Sequence, residues 1–223
     1  MRIALRSLFF TACALVLAQA GLAQDAALAR ADLKQLRDRY EGAGAMQADV
    51  ALEIQFPEQP AEVQRGTIVR DGERFRVAFD QQVVISDGTT LWMYLPDNRE
   101  VQVYDATDGA DGGGGGFMRP QDLLTIYDSD GFEAAVVGEV TEGGRAYRQI
   151  EFKPTDRDAE FAKVRMTYDP ARREIRRVKV FNKDGSRFTL VLDDVRLGVP
   201  APAGAFTFRE ADYPGVMVED MRL

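Results

Sequence analysis

The chain has 223 residues, and its 36 acidic and 28 basic side chains give a formal net charge of −8 at neutral pH. That length suits one large β-rich domain or two small ones, and so acidic a chain does not hold nucleic acid or an anionic membrane surface by counterion release. The sequence contains no His, which excludes the usual general base, the Ser-His-Asp and Cys-His nucleophiles and the commonest zinc ligand. Its abundant carboxylates leave acid/base glycoside hydrolysis open.

The first residues are typical of a secretory signal peptide. Arg2 and Arg6 precede the apolar run SLFFTACALVLAQA, and small residues for cleavage follow at Ala18-Gln19-Ala20 and Gly21-Leu22-Ala23. The run is too short for a membrane anchor, and lipidation at Cys13 is a lesser alternative because the apolar segment before it is very short. We therefore predict a cleaved signal over residues 1–23 and a single domain over 24–223. Cys13 is the only Cys, so the exported domain would have no disulfide.

After the signal, the pattern predicts one helix and then a series of strands. Leu28, Ala31, Leu36 and Tyr40 are near helical spacing over residues 25–42, and Gly42 ends the helix. Apolar-polar alternation then predicts eleven strands with hairpin-sized connections and a final extended piece, Ala205 to Phe208. The strands lie at 46–56, 62–70, 73–79, 82–86, 89–95, 99–104, 132–140, 145–153, 161–169, 173–182 and 186–197.

A glycine-rich insertion interrupts the strands at residues 105–129. Gly112 to Gly116 cannot hold regular structure, and Pro120 suits the first turn of a short apolar helix that ends near Tyr127. The same strand pattern lies on both sides, so this is an insertion in one sheet. The spacing of its aspartates fits neither an EF-hand loop nor a calcium-binding repeat, and we predict no metal site.

Most of the predicted strands are apolar on one face only, as in Phe75, Val77 and Phe79. With no βαβ alternation, the fold class is mainly β, and two helices are too few to fill a curled sheet of eleven strands. We predict a strongly curved antiparallel sheet that forms an incomplete β-barrel, covered by the N-terminal helix and the short helix after the glycines. Whether an apolar cavity remains or a sandwich core fills it stays open.

One strand departs from this pattern. In ISDGTTLWMYLPDN, residues 85 to 98, Leu91, Met93 and Leu95 point to one face while Trp92 and Tyr94 point to the other, so both faces are apolar. We expect one set to line the cavity and the other to pack under a helix or to form an exposed docking patch.

Several of these segments resemble one family. The signal, Asp32-Leu33-Lys34 in the first helix, GTIVRDGERFRVAF, VVISDGTTLWMYLPDNREVQVY and the ending AFTFREADYPGVMVEDMRL are similar to the periplasmic lipoprotein carrier (LolA-type) family, over nearly the whole domain and in order. The resemblance implies an unclosed β-barrel with a helical lid, and a monomeric, non-enzymatic protein without cofactor. Such carriers take acylated lipoproteins from an inner-membrane lipoprotein-releasing transporter to an outer-membrane acceptor.

The resemblance also implies site residues. Arg70 matches an arginine that latches the lid in the family, although Asp71-Gly72 follows it here where the family usually has proline. A strand-end surface charge is the alternative for Arg70. Residues expected to line the acyl cavity are Phe75, Val77, Phe79, Leu91, Trp92, Met93, Tyr94 and Met166, and those of the lid are Phe117, Met118, Leu123, Leu124 and Ile126.

One alternative function stays open, because Asp71-Gly72 follows Arg70 in place of the family's proline and because the chain contains the glycine insertion. It is a related periplasmic lipid- or lipoprotein-binding module that acts as a sensor or as a glycolipid carrier.

Overall fold

A computed structural model describes residues 4–106, 131–159 and 161–222, with side chains from Gln24 onward. Within these residues one helix precedes twelve strands, and two short 3₁₀ turns occur at Pro96–Asn98 and Glu210–Asp212. The elements are α1 (Ala4–Ala43), β1 (Ala45–Gln55), β2 (Glu62–Asp71), β3 (Arg74–Phe79), β4 (Val83–Ser86), β5 (Thr90–Leu95), β6 (Glu100–Asp105), β7 (Phe132–Glu142), β8 (Arg145–Pro154), β9 (Phe161–Asp169), β10 (Glu174–Asn182), β11 (Arg187–Leu197) and β12 (Met217–Asp220).

The eleven predicted strands are all present, each within two residues of its predicted ends. The helix is longer than expected because it continues toward the N-terminus through the segment assigned to the signal. Ala205 to Phe208 is not a strand, which corrects that prediction, and β12 was not predicted. The short helix expected at 120–127 lies outside the described residues.

All twelve strands belong to one sheet with the order β12-β6-β5-β4-β3-β2-β1-β11-β10-β9-β8-β7. Neighbours are antiparallel throughout, except that β12 runs parallel to β6. The described strands do not close into a barrel, since β12 and β7 form the two edges. The prediction of a mainly β, curved and unclosed sheet is confirmed.

The strand register defines two faces. Residues directly opposite each other on neighbouring strands share a face, so the pairs Ala48↔Ile68 and Ile68↔Val77 place these three side chains together. The helix α1 packs on this side, which we call the inner face. The opposite side is the outer face.

The core lies between α1 and the inner face. From α1 it takes Ala29, Leu33, Leu36 and Tyr40, which recur at helical spacing. From the sheet it takes buried residues of β1–β3 and β8–β11, among them Ile68, Ile150, Met166 and Leu190.

Within the described residues, no helix combines the length and the apolar character needed to cross a membrane.

Gly66 marks a close approach inside the sheet. It lies in β2 opposite Phe79 of β3, and a Cβ added there would sit 2.0 Å from the Ala78 carbonyl oxygen and 2.8 Å from Cδ1 of Phe79. Any larger residue would push β3 away from β2, so this position accepts glycine alone.

Candidate functional site

The outer side of β5 is covered by the C-terminal segment. The ring of Trp92 stacks on Phe208 with centroids 6.3 Å apart, and Tyr94 lies 4.6 Å from Tyr213. Phe208 and Tyr213 also stack on each other at 5.1 Å. Beneath these rings Ile85 is fully buried. The C-terminal segment therefore forms a second, smaller core on the outer face, and no helix covers this side of β5 in the described structure.

A tight turn sets the register that produces these two faces. The Asp87 side chain accepts hydrogen bonds from the backbone N–H groups of Thr89 and Thr90, both at 2.8 Å, and Ser86 Oγ accepts one from Gly88 N–H at 3.1 Å. Gly88 has φ of 95°, which favours glycine. The Asp-Gly signal thus fixes β4 against β5, with Ser86 opposite Leu91.

The inner side of β5 belongs to the face on which α1 packs. Met93 lies opposite Val84, and Val84 lies opposite Val77, so the register carries one apolar row from the core across to β5. Leu91 is buried, while Met93 and Leu95 are half-buried. In the part of the chain that the structure describes, the core around α1 does not extend to β4–β6. The inner side of β4 and β5 is therefore the apolar surface that lies outside the core around α1, and the inner side of β6 beside it carries the polar residues Glu100, Gln102 and Tyr104.

The predicted cavity residues divide between the two faces. Phe75, Val77, Phe79, Leu91, Met93 and Met166 are on the inner face. Trp92 and Tyr94 are on the outer face, against the C-terminal segment. Met166 is fully buried under α1, as is Val77, whereas Phe75 is half-buried beside β4.

A buried polar cluster ties α1 to the sheet. Asp32 Oδ2 accepts a hydrogen bond from Arg148 Nη1 at 2.7 Å and a short one from the Tyr168 hydroxyl. Asp32 and Tyr168 are 8% and 2% exposed. The hydrogen bond to Asp32 raises the pKa of Arg148, and burial together with the same carboxylate raises the pKa of Tyr168. The cluster fixes α1 over β8 and β9.

The role of Asp32 was not predicted, although the sequence contains a signal for it. Asp32 falls at helical spacing between Ala29 and Leu36, on the apolar stripe of α1. A carboxylate on such a stripe needs a buried partner. That partner could not be read from the sequence, because Arg148 and Tyr168 are more than a hundred residues away along the chain.

Two further polar contacts extend this attachment along α1. The backbone N–H of Ile175 donates to the Tyr40 hydroxyl at 3.0 Å, and burial raises the pKa of Tyr40 to about 12. Arg70 lies on the inner face at the end of β2, with its side chain 11% exposed. Its Nη2 is 3.1 Å from Glu41 Oε1 of α1, and its Nε donates to the Gly72 carbonyl at 3.1 Å. Arg70 is therefore not a solvated strand-end charge.

The predicted lid residues Phe117, Met118, Leu123, Leu124 and Ile126 lie outside the described residues, as does Gly112–Gly116. The described chain shows only where this connection begins and ends. It leaves β6, next to one edge of the sheet, and enters β7, which is the other edge. The lid and the Arg70 latch stay predictions.

Comparison with known proteins agrees with this architecture. Residues 58–209 match the family model described as outer membrane lipoprotein carrier protein LolA. The chain belongs to this family. Among curated relatives of this carrier family, a protein named outer-membrane lipoprotein carrier protein from Vibrio campbellii (strain ATCC BAA-1116) is 26% identical over 196 residues, which covers 84% of this chain and 85% of the relative. A protein of the same name from Vibrio vulnificus (strain YJ016) is 28% identical over 143 residues, which is 64% of each chain.

Solved structures share the fold of this carrier-family chain at low sequence identity. An uncharacterized conserved protein from Thermus thermophilus superposes with a TM-score of 0.53 at 13% identity, covering 84% of this chain and 98% of that one. A DUF1329 family protein from Desulfovibrio piger ATCC 29098 gives 0.51 at 12% identity, covering 85% and 99%. The fold is thus shared with proteins of very different sequence.

Proposed function

We propose that this protein is a periplasmic carrier that binds the acyl chains of lipoproteins on its inner face and takes them from the inner to the outer membrane. The observation that supports this most is the apolar inner side of β4 and β5, which lies outside the core around α1, in a chain of the carrier family. Phe75, Leu91 and Met93 would contact the acyl chains. Trp92 and Tyr94 are outside this site because their rings face the C-terminal segment.

Burial of hydrocarbon is sufficient to bind such a cargo. Each methylene group removed from water contributes about 0.8 kcal/mol, so roughly ten buried methylenes give about 8 kcal/mol before the cost of association. No hydrogen bond to the cargo is required and no bond is made or broken. The polar cluster around Asp32 would keep α1 in place while the neighbouring apolar surface is occupied.

The binding surface is tested with a fluorescent tripalmitoylated lipopeptide and two matched variants. Met93→Glu places a carboxylate on the proposed acyl surface and should weaken binding about tenfold or more, because a buried charge without a partner is costly. Val63→Glu makes the same kind of change on an exposed outer-face position of β2 and should bind like the unchanged protein. Equal affinities for both folded variants, checked by circular dichroism, would exclude this surface.

The cargo itself is tested by native mass spectrometry of protein purified from its own periplasm. A bound triacylated protein supports the carrier. A free lipid or glycolipid supports instead a related lipid-binding module, and an empty protein that cleaves a glycan supports an enzyme.

The lid is a separate part of the proposal. The connection that contains Gly112 to Tyr127 joins β6, next to one edge of the open sheet, to β7 at the other edge, so its two ends lie on opposite sides of the opening. Replacing both Leu123 and Leu124 by Asp should lower lipopeptide uptake without unfolding the sheet. Unchanged uptake would show that this segment is not a lid.

A further inference from the structure

The outer face of β8–β11 contains a concentrated set of basic side chains. Strand register brings together residues from three neighbouring strands around one aromatic ring. We call this surface the Phe181 patch, and its members are Lys163, Arg165, Arg177, Lys179, Phe181 and Arg187. Five cations on one face of a chain with a net charge of −8 mean that the remaining surface is still more acidic.

The patch is organised around the ring of Phe181. Four cationic groups lie close to its centroid: Lys163 Nζ at 5.3 Å, Arg165 Cζ at 5.6 Å, Lys179 Nζ at 5.6 Å and Arg187 Cζ at 5.9 Å. Cation–π attraction holds long side chains that would otherwise move freely in water. The cations are thereby ordered before any partner arrives, which lowers the entropic cost of binding.

The patch has more positive charge than its own carboxylates neutralise. Glu151 accepts from Arg165 at 2.6 Å and from Lys163 at 3.0 Å, and Glu142 pairs with Arg177. Burial would raise the pKa of Glu151, but these hydrogen bonds outweigh it and keep the pKa below its usual value, so Glu151 remains ionised. Within the described residues, Lys179 and Arg187 have no carboxylate close enough for an ion pair.

We propose that the Phe181 patch is a docking surface for a short acidic segment of a partner protein. Arginine guanidinium groups match carboxylates in bidentate geometry, and three of the five cations are arginines. The surface is opposite the inner face, so a partner could bind here while cargo occupies the other side. This inference goes beyond the proposed carriage of acyl chains and does not depend on it.

Acidic residues around the patch favour a narrow protein segment over a membrane. Glu53 of β1 lies beside Thr189 in the outer-face row of Lys179, and Asp184 lies in the turn before Arg187. Strands are about 4.8 Å apart, so the backbones of Glu53 and Lys179 are separated by roughly 10 Å, close to the Debye length of about 8 Å in physiological salt. A flat anionic surface would meet these carboxylates together with the patch, whereas a single acidic segment would contact the cations alone.

The test measures fluorescence anisotropy of a labelled hexaglutamate peptide against the full-length mature protein. Hexaglutamate should bind, with an affinity that falls as salt increases, and hexaglutamine should not. Lys179→Glu combined with Arg187→Glu should raise the dissociation constant about tenfold or more. Arg30→Glu combined with Lys34→Glu makes the same charge change on exposed residues of α1 and should have little effect.

Three results would overturn the proposal. These are equal binding of hexaglutamate and hexaglutamine, equal loss in both double variants, or a patch-dependent binding to phosphatidylglycerol vesicles in the absence of hexaglutamate binding. Circular dichroism and lipopeptide binding of the patch variant check its fold independently. If the unchanged protein does not bind the lipopeptide, the proposed function is contradicted. The hexaglutamate result is not affected by that outcome.

Discussion

The buried cluster that ties α1 to the sheet gives the sharpest prediction about stability. Replacing Asp32 by Ala removes the acceptor of the buried Tyr168 hydroxyl, which costs about 1–3 kcal/mol. The lost ion pair between Arg148 and Asp32 costs less, about 1 kcal/mol, because the Arg148 side chain is 21% exposed and still pairs with Glu139 at 3.3 Å. We expect Asp32→Ala to lower the free energy of unfolding by about 2–4 kcal/mol, a large share of the roughly 5–15 kcal/mol typical of a domain.

A double-mutant cycle separates the cluster from simple packing effects. Tyr168→Phe alone should cost about 1 kcal/mol, and in the double variant with Asp32→Ala no hydroxyl is left without an acceptor. The two changes should therefore be non-additive by about 1–2 kcal/mol in urea unfolding followed by circular dichroism. Asp38→Ala is the matched control, because it removes an exposed ion pair with Lys34 on the same helix and should cost under about 0.5 kcal/mol. Additivity, or an equal cost for Asp38→Ala, would refute this reasoning.

Three further predictions concern the packing of the sheet and of its two cores. Gly66→Ala should lower the free energy of unfolding by about 2 kcal/mol or more in urea unfolding, because the new Cβ would meet the Ala78 carbonyl oxygen, and a neutral result would show that β3 can shift freely. Burial raises the pKa of Tyr40 from 10.0 to about 12 in the folded protein, so the contribution of its protonated form to stability is complete below pH 10 and is lost as the pH rises toward 12. A Tyr40→Phe variant should lack this alkaline loss in urea titrations at several pH values, and an identical pH profile would contradict the assignment. Phe208→Ala should shift the emission of Trp92, the single tryptophan, toward longer wavelength while lipopeptide affinity is unchanged, and a change in affinity would place the cargo on the outer face.

Strand positions were predictable because the relevant information is local. A strand half buried in a sheet needs apolar residues at alternate positions, and a hairpin needs residues that accept its turn geometry. Both signals lie within a few residues of each other, as in Asp87-Gly88 before β5. The same alternation placed Phe75, Val77 and Phe79 on one face, and the register confirms that they share it.

β12 shows where local information ends. Its four residues are all exposed, and backbone hydrogen bonds hold it parallel to β6. Met217 N–H donates to the Arg99 carbonyl at 2.8 Å, for example. Such a strand has no buried face and therefore no alternation to detect. The nearby extended piece at Ala205–Phe208 was predicted as the last strand instead, although its aromatic residues pack against the outer face without joining the sheet.

The sequence by itself determined that β5 is apolar on both faces and that most other strands are apolar on one. Only the tertiary structure decided which face of β5 meets which neighbour, because each cover comes from a distant part of the chain. Trp92 and Tyr94 pack against the C-terminal segment, whereas Leu91 and Met93 lie on the inner face. For the same reason Asp32 found its partners only when α1 packed on strands that are remote in sequence. The cations around Phe181 come from three consecutive strands, and the register of those strands decides that they share one face.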